Sequence, residues 1–78
     1  MNKVRRKALA DLAEQFEVLK EELESLMEEE EEYRDNMPEN LQGSERYEKA
    51  DAACDNLSDA VDNLEEAISS IQTVIEIE

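Results

Sequence analysis

Seventy-eight residues carry 23 Asp and Glu, 8 Lys and Arg and no His, a formal charge of −15. A chain this short forms one small domain whose core is marginal without a staple or a partner, and its single cysteine makes neither an internal disulfide nor a zinc cluster. The lack of histidine excludes His-based triads and His metal sites, and the charge repels nucleic acid and anionic membranes.

Met1-Asn2-Lys3-Val4-Arg5-Arg6-Lys7 opens like the basic start of a signal peptide. Asp11, Glu14 and Glu17 then interrupt any apolar stretch. No apolar run approaches the length of a membrane span. A soluble, cytoplasmic protein is expected, and the lone thiol suits a reducing compartment. Lys3, Arg5, Arg6 and Lys7 are half of all basic residues; the other 4, set against 23 acids, give residues 8–78 a charge of −19. Basic side chains at a helix start oppose the macrodipole. Two readings of this arm stand. Either it ion-pairs at the hairpin base with Glu76, Glu78 and the terminal carboxylate, or it serves as a small basic arm for nucleic acid or an acidic neighbour. The arm has no aromatic residues to stack bases, which argues against direct nucleic-acid binding.

The first predicted helix, about residues 3–34, carries Leu9, Leu12, Phe16, Leu19, Leu23, Leu26, Glu30 and Tyr33 at alternating steps of three and four. That is a coiled-coil seam with one polar position, Glu30. Glu28 to Glu32 is an unbroken acidic run at its end. Residues 35–43 form a loop: Pro38 forces Met37 into extended geometry and stops the helix, Gly43 offers a permissive backbone, and Ser44 is a good N-cap for a second helix. That second predicted helix, about 44–76, repeats the pattern through Tyr47, Ala50, Cys54, Leu57, Val61, Leu64, Ile68, Ile71 and Ile75. The β-branched alternation of Thr73-Val74-Ile75-Glu76-Ile77-Glu78 also reads as a strand; the heptad register keeps it helical to about Ile75.

So short a loop folds the helices antiparallel. The fold expected is all-α: a two-helix coiled-coil hairpin, assembling into a four-helix-type bundle as a homo-oligomer. At a constant offset Tyr33 faces Tyr47, Leu26 faces Cys54, Leu23 faces Leu57, Leu19 faces Val61, Phe16 faces Leu64, Leu12 faces Ile68 and Leu9 faces Ile71. Glu30 then faces the small Ala50, leaving its carboxylate free to bend to solvent or to Arg46. Cys54 is expected to be a buried small hydrophobe rather than a reactive thiol, since Asp51 and Asp55 flank it.

Ala53, Ala60, Ala67 and Val74 recur every seven residues beside the second seam, with Ala8, Ala13 and Met27 on the flanks of the first. An apolar face this wide suits contact with more than one neighbour. Homodimerisation or higher self-association is one reading; docking of a foreign protein is the other. Glu48, Asp55, Asp59, Asp62 and Glu66 line the face opposite the seam. They read either as a solubilising surface or as a nucleic-acid mimic, because i and i+4 carboxylates stand roughly 6 Å apart, close to the phosphate spacing of one strand. The mimic's target is a basic or nucleic-acid-binding protein. Tyr33, Met37, Leu41 and Tyr47 gather at the tip, either as a plug on the open end or as a recognition surface. No catalytic constellation is expected, and no cofactor or metal, because these carboxylates lie on convex helix faces and no calcium-loop pattern is present.

The stretch Tyr33-Arg34-Asp35-Asn36-Met37-Pro38-Glu39-Asn40-Leu41-Gln42-Gly43-Ser44-Glu45-Arg46-Tyr47, followed by Ala52-Ala53-Cys54-Asp55-Asn56-Leu57, resembles short acidic proteins encoded in bacterial prophages and other mobile elements. That resemblance implies a genomic setting in which small acidic proteins bind and block host machinery. It carries over no functional residue. The expected role is a non-enzymatic protein-binding module, an accessory or inhibitory factor. The alternatives are a nucleic-acid mimic and a purely structural homo-oligomer.

Overall fold

The structure, a computed structural model, describes residues 2–77. It is an all-α antiparallel hairpin: α1 spans Lys3–Asp35, a single 3₁₀ turn covers Glu39–Leu41, and α2 spans Glu45–Glu76. The molecule measures 59 × 15 × 13 Å. Among the described residues there is no strand, and no helix is long and apolar enough to cross a membrane.

Local chemistry sets the helix ends. The Asn2 side chain accepts the Arg5 N–H at 2.8 Å, satisfying one of the four orphan donors at the start of α1. At the other end Asn36 N–H donates to the Glu32 carbonyl at 2.9 Å, and Arg34 stands in the last turn, where a cation complements the helix dipole. Pro38, at φ −58°, then sets up the turn, in which Leu41 N–H donates to the Pro38 carbonyl at 2.8 Å. Ser44 caps α2 by accepting the Tyr47 N–H at 3.3 Å, while its hydroxyl donates to the Leu41 carbonyl. The β-branched end of α2 stays helical, and Thr73 donates its hydroxyl to the Ser69 carbonyl at 3.0 Å. Gly43 does not use the backbone freedom expected of it. No described glycine takes a positive φ, and a Cβ at Gly43 meets nothing within 4 Å.

The core is narrow and lopsided. Ala50, Cys54, Val61 and Ile68 are buried on α2, but Ala13 is the buried residue of α1, with Met37 closing the tip. The expected seam is right for α2 and half right for α1. Leu9, Phe16 and Leu23 are half-buried as a seam row should be. The companion row is not Leu12, Leu19, Leu26 and Tyr33, which remain 45%, 49%, 55% and 49% exposed. It is Ala13, Lys20, Met27 and Arg34. Relative to the expected seam, α1 is turned about its axis by about 50°, half the angle between successive helical residues.

Two helices share only two rows each, and α1 has three candidates. Cross-helix charge identifies the rows that face α2. Arg34 Nη1 donates to Asp51 Oδ1 at 2.9 Å, and Lys20 Nζ lies 3.7 Å from Glu65. The expected pairings of Leu19 with Val61 and Leu26 with Cys54 give way to this one. Cys54 lies among Met27, Glu31 and Arg34 instead.

Candidate interaction surface

The turn of α1 gives the hairpin two unlike sides. On one, Met27, Glu31 and Arg34 border Cys54, Asp55 and Ser58, and Ala10, Ala13 and Glu17 border Gln72 and Ile75. This side is polar and held by ion pairs. Lys20, with 17% of its side chain exposed, lies 3.4 Å from Glu17, 3.9 Å from Glu24 and 3.7 Å from Glu65. Arg34 donates through Nε to Asp35 at 3.0 Å and through Nη1 to Asp51. Desolvation under the neighbouring helix pulls the Lys20 pKa down, but the hydrogen bond and charge of Glu17 and the charges of Glu65 and Glu24 more than offset it, so it rises above the ordinary lysine value. Arg34 is likewise raised, first by its hydrogen bond to Asp35, against desolvation.

On the other side, Tyr33 and Glu30 share a hollow with Arg46, Lys49 and Ala50. Arg46 stands one heptad before Ala53, so the row Ala53, Ala60, Ala67, Val74 follows it down α2. Tyr33 heads the row Leu26, Leu19, Leu12 down α1. These two rows therefore border the same side of the hairpin. Half-buried Leu9, Phe16, Leu23, Leu57, Leu64 and Ile71 lie between them. The alanines are half-buried and Val74 is 39% exposed. The predicted oligomer stripe of α2 is thus one half of a wider apolar face, and α1 supplies the larger side chains. The expected flank residues Ala13 and Met27 belong to the seam instead. Val4 and Val18 are exposed singly elsewhere and need no special account.

Sequence reasoning assigns Leu12, Leu19, Leu26 and Tyr33 to the internal seam and so misses them as surface. A signal is present. Lys20 and Arg34 lie two heptads apart on α1, and Asp51 and Glu65 lie two heptads apart on α2. Two cations on one face and two acids on one face, in a chain so short of cations, mark the rows that meet.

The remaining candidates fall in different places. Glu48, Asp55, Asp59, Asp62 and Glu66 are all exposed, and none forms an ion pair among the described residues. At the tip, Tyr33 and Leu41 are exposed and Tyr47 is half-buried, but Met37 is buried. At 7% exposed, Met37 fits the plug reading of the tip better than the surface one. In the basic arm, Lys7 pairs along its own helix with Asp11 at 3.7 Å; Glu78, an expected partner of the arm, lies outside the described residues. Cys54 is a buried free thiol. Desolvation chiefly raises its pKa, Glu31, Glu30 and Asp51 raise it further, and Arg34 opposes them. Among the described residues no group of His, Cys, Asp or Glu is arranged to hold a metal ion.

Searches against protein families, curated proteins and solved structures found no match to this chain.

Proposed function

We propose that this chain is a non-enzymatic interaction module, an acidic helical hairpin that works by occupancy and whose first partner is a second copy of itself. The supporting observation is the row Leu12, Leu19, Leu26 and Tyr33, each about half exposed, level with the alanine row of α2. A continuous apolar face flanked by carboxylates is what a small domain leaves open for another helical surface. Pairing two such faces makes a four-helix bundle and enlarges a core that is marginal in one hairpin. The test is co-purification of two differently tagged copies. Wild-type copies are expected to capture one another, and Leu19→Asp with Leu26→Asp to abolish capture while helicity persists. Undiminished capture by that variant overturns the reading.

A second reading is favoured by the acidic ridge of α2. Its five carboxylates are exposed, form no ion pair among the described residues and lie away from the apolar face, so self-pairing leaves them open to a basic or nucleic-acid-binding protein. Such binding falls steeply with ionic strength and is lost in Asp55→Lys, Asp59→Lys, Asp62→Lys. Salt-insensitive binding to such a target contradicts it.

A further inference from the structure

We propose that the two cross-helix ion pairs, Arg34 with Asp51 and Lys20 with Glu65, are a latch that holds α1 in one of two rotations. Releasing the latch turns α1 by about 50° and draws Leu12, Leu19, Leu26 and Tyr33 into the seam. The inference concerns a single hairpin and stands whether or not two copies pair.

The two rotations share most of their packing. Half-buried Leu9, Phe16 and Leu23 form the middle row of α1, with Ala13, Lys20, Met27 and Arg34 on one side of it and Leu12, Leu19, Leu26 and Tyr33 on the other. A turn by one row keeps the middle row in the seam and exchanges its two neighbours. The buried set of α2, Ala50, Cys54, Val61 and Ile68, serves either row.

Apolar content favours the other rotation. The row now indoors holds a lysine and an arginine, with 17% and 21% of their side chains exposed, beside Ala13 and Met27. The row now outdoors is three leucines and a tyrosine, each about half exposed. Burial alone ranks the leucines first, and what opposes it is narrow. Lys20 has Glu17 at 3.4 Å and Glu24 at 3.9 Å on its own helix, and Arg34 has Asp35 at 3.0 Å; these partners turn with α1. Of the ion pairs that the two cations form among the described residues, those to Glu65 at 3.7 Å and Asp51 at 2.9 Å cross the hairpin, and these are the ones lost on turning. A polar residue at a seam position fixes register at a cost in stability. Here two cations, two heptads apart, meet two acids at the same spacing. With the leucines indoors the α1 half of the apolar face is gone, so the latch governs whether that face is offered, through a small helix rotation between two packed arrangements.

The experiment uses Cys54 as an intrachain reporter. Met27 borders Cys54 in the present rotation, and Leu26 takes that place after the turn. Met27→Cys and Leu26→Cys are each oxidised at low chain concentration in three backgrounds. The first has the latch intact, the second has it neutralised by Lys20→Gln with Arg34→Gln, and the third has it swapped by Lys20→Glu, Arg34→Glu, Asp51→Lys and Glu65→Lys. The fraction of single chains closed by a disulfide is read by mass after alkylation of free thiols, with circular dichroism for helicity. With the latch intact, Met27→Cys is expected to close and Leu26→Cys to stay open. Neutralising the latch is expected to invert that preference, and the charge swap to return it to Met27→Cys. Three results overturn the proposal: Leu26→Cys that closes first with the latch intact, Leu26→Cys that stays open once the latch is neutralised, or a swap that does not restore the preference. Loss of helicity in the neutralised chain overturns it too, because the second rotation is then not a folded state.

Discussion

Truncating Ile68 and truncating Leu19 separate the seam of the hairpin from its outer face. Ile68 is 4% exposed and Leu19 is 49% exposed. Ile68→Ala deletes three carbons from a closed environment, about 2.4 kcal/mol at ~0.8 kcal/mol for each. The cavity left behind brings the cost to roughly 3 kcal/mol, inside the 2–5 kcal/mol range for such changes. Leu19→Ala deletes the same number from a side chain half in water already. In an isolated hairpin it costs about 1 kcal/mol and leaves no closed cavity. Covered by a second copy, Leu19 is as buried as Ile68, and the penalty approaches the same ~3 kcal/mol. Urea unfolding followed by circular dichroism, run at low-micromolar and at millimolar chain concentration, measures both. The Ile68→Ala penalty is expected at either concentration. The Leu19→Ala penalty is expected to be small when dilute and to grow where copies associate. Equal large penalties at dilution would place the Leu19 row inside the hairpin and refute the turned α1.

Three further outcomes rest on particular residues. Gly43→Ala fits without a clash at an ordinary φ, so it is expected to stabilise by about 0.4–1 kcal/mol through the unfolded chain; a lower urea midpoint contradicts this. The raised Lys20 pKa means that its ion pairs contribute fully below the unfolded value of about 10.4 and are lost as pH climbs through the higher folded value. Lys20→Met is therefore expected to flatten the alkaline fall in stability above that pH, and an unchanged alkaline profile argues against the cross-helix pairing. Cys54 is buried with a raised pKa, so alkylation is expected to follow the urea unfolding curve, and fast labelling of the native protein contradicts its seam position.

Most of the fold can be read from the chain because its punctuation is unambiguous. Pro38 and Ser44 bound the turn, no other Pro or Gly interrupts the helices, and the α2 seam keeps one register from Ala50 to Ile75. The rotation of α1 is harder to read. Apolar rank puts Leu12, Leu19 and Leu26 ahead of Ala13, Lys20 and Met27 as seam residues, and periodicity weighs rows one helix at a time. The choice between them depends instead on a relation across the two helices, Lys20 and Arg34 meeting Glu65 and Asp51. For the surface, the alanine row of α2 is legible as an apolar stripe beside the seam, since three alanines and a valine recur there at heptad spacing. Its α1 half is hidden by the same preference that puts the leucines indoors. Met37 reads as a tip residue because loops lie outside; its burial comes from the open end of the core that the tip must close.

Sedimentation equilibrium of the wild type beside Leu19→Asp bears most directly on the claim that α1 turns its leucines outward to meet a second chain. The account predicts twice the mass of one chain for the wild type at high concentration and a helical species with the mass of a single chain for the variant. A wild type that stays at the mass of one chain throughout, or a variant that pairs as tightly as the wild type, contradicts it.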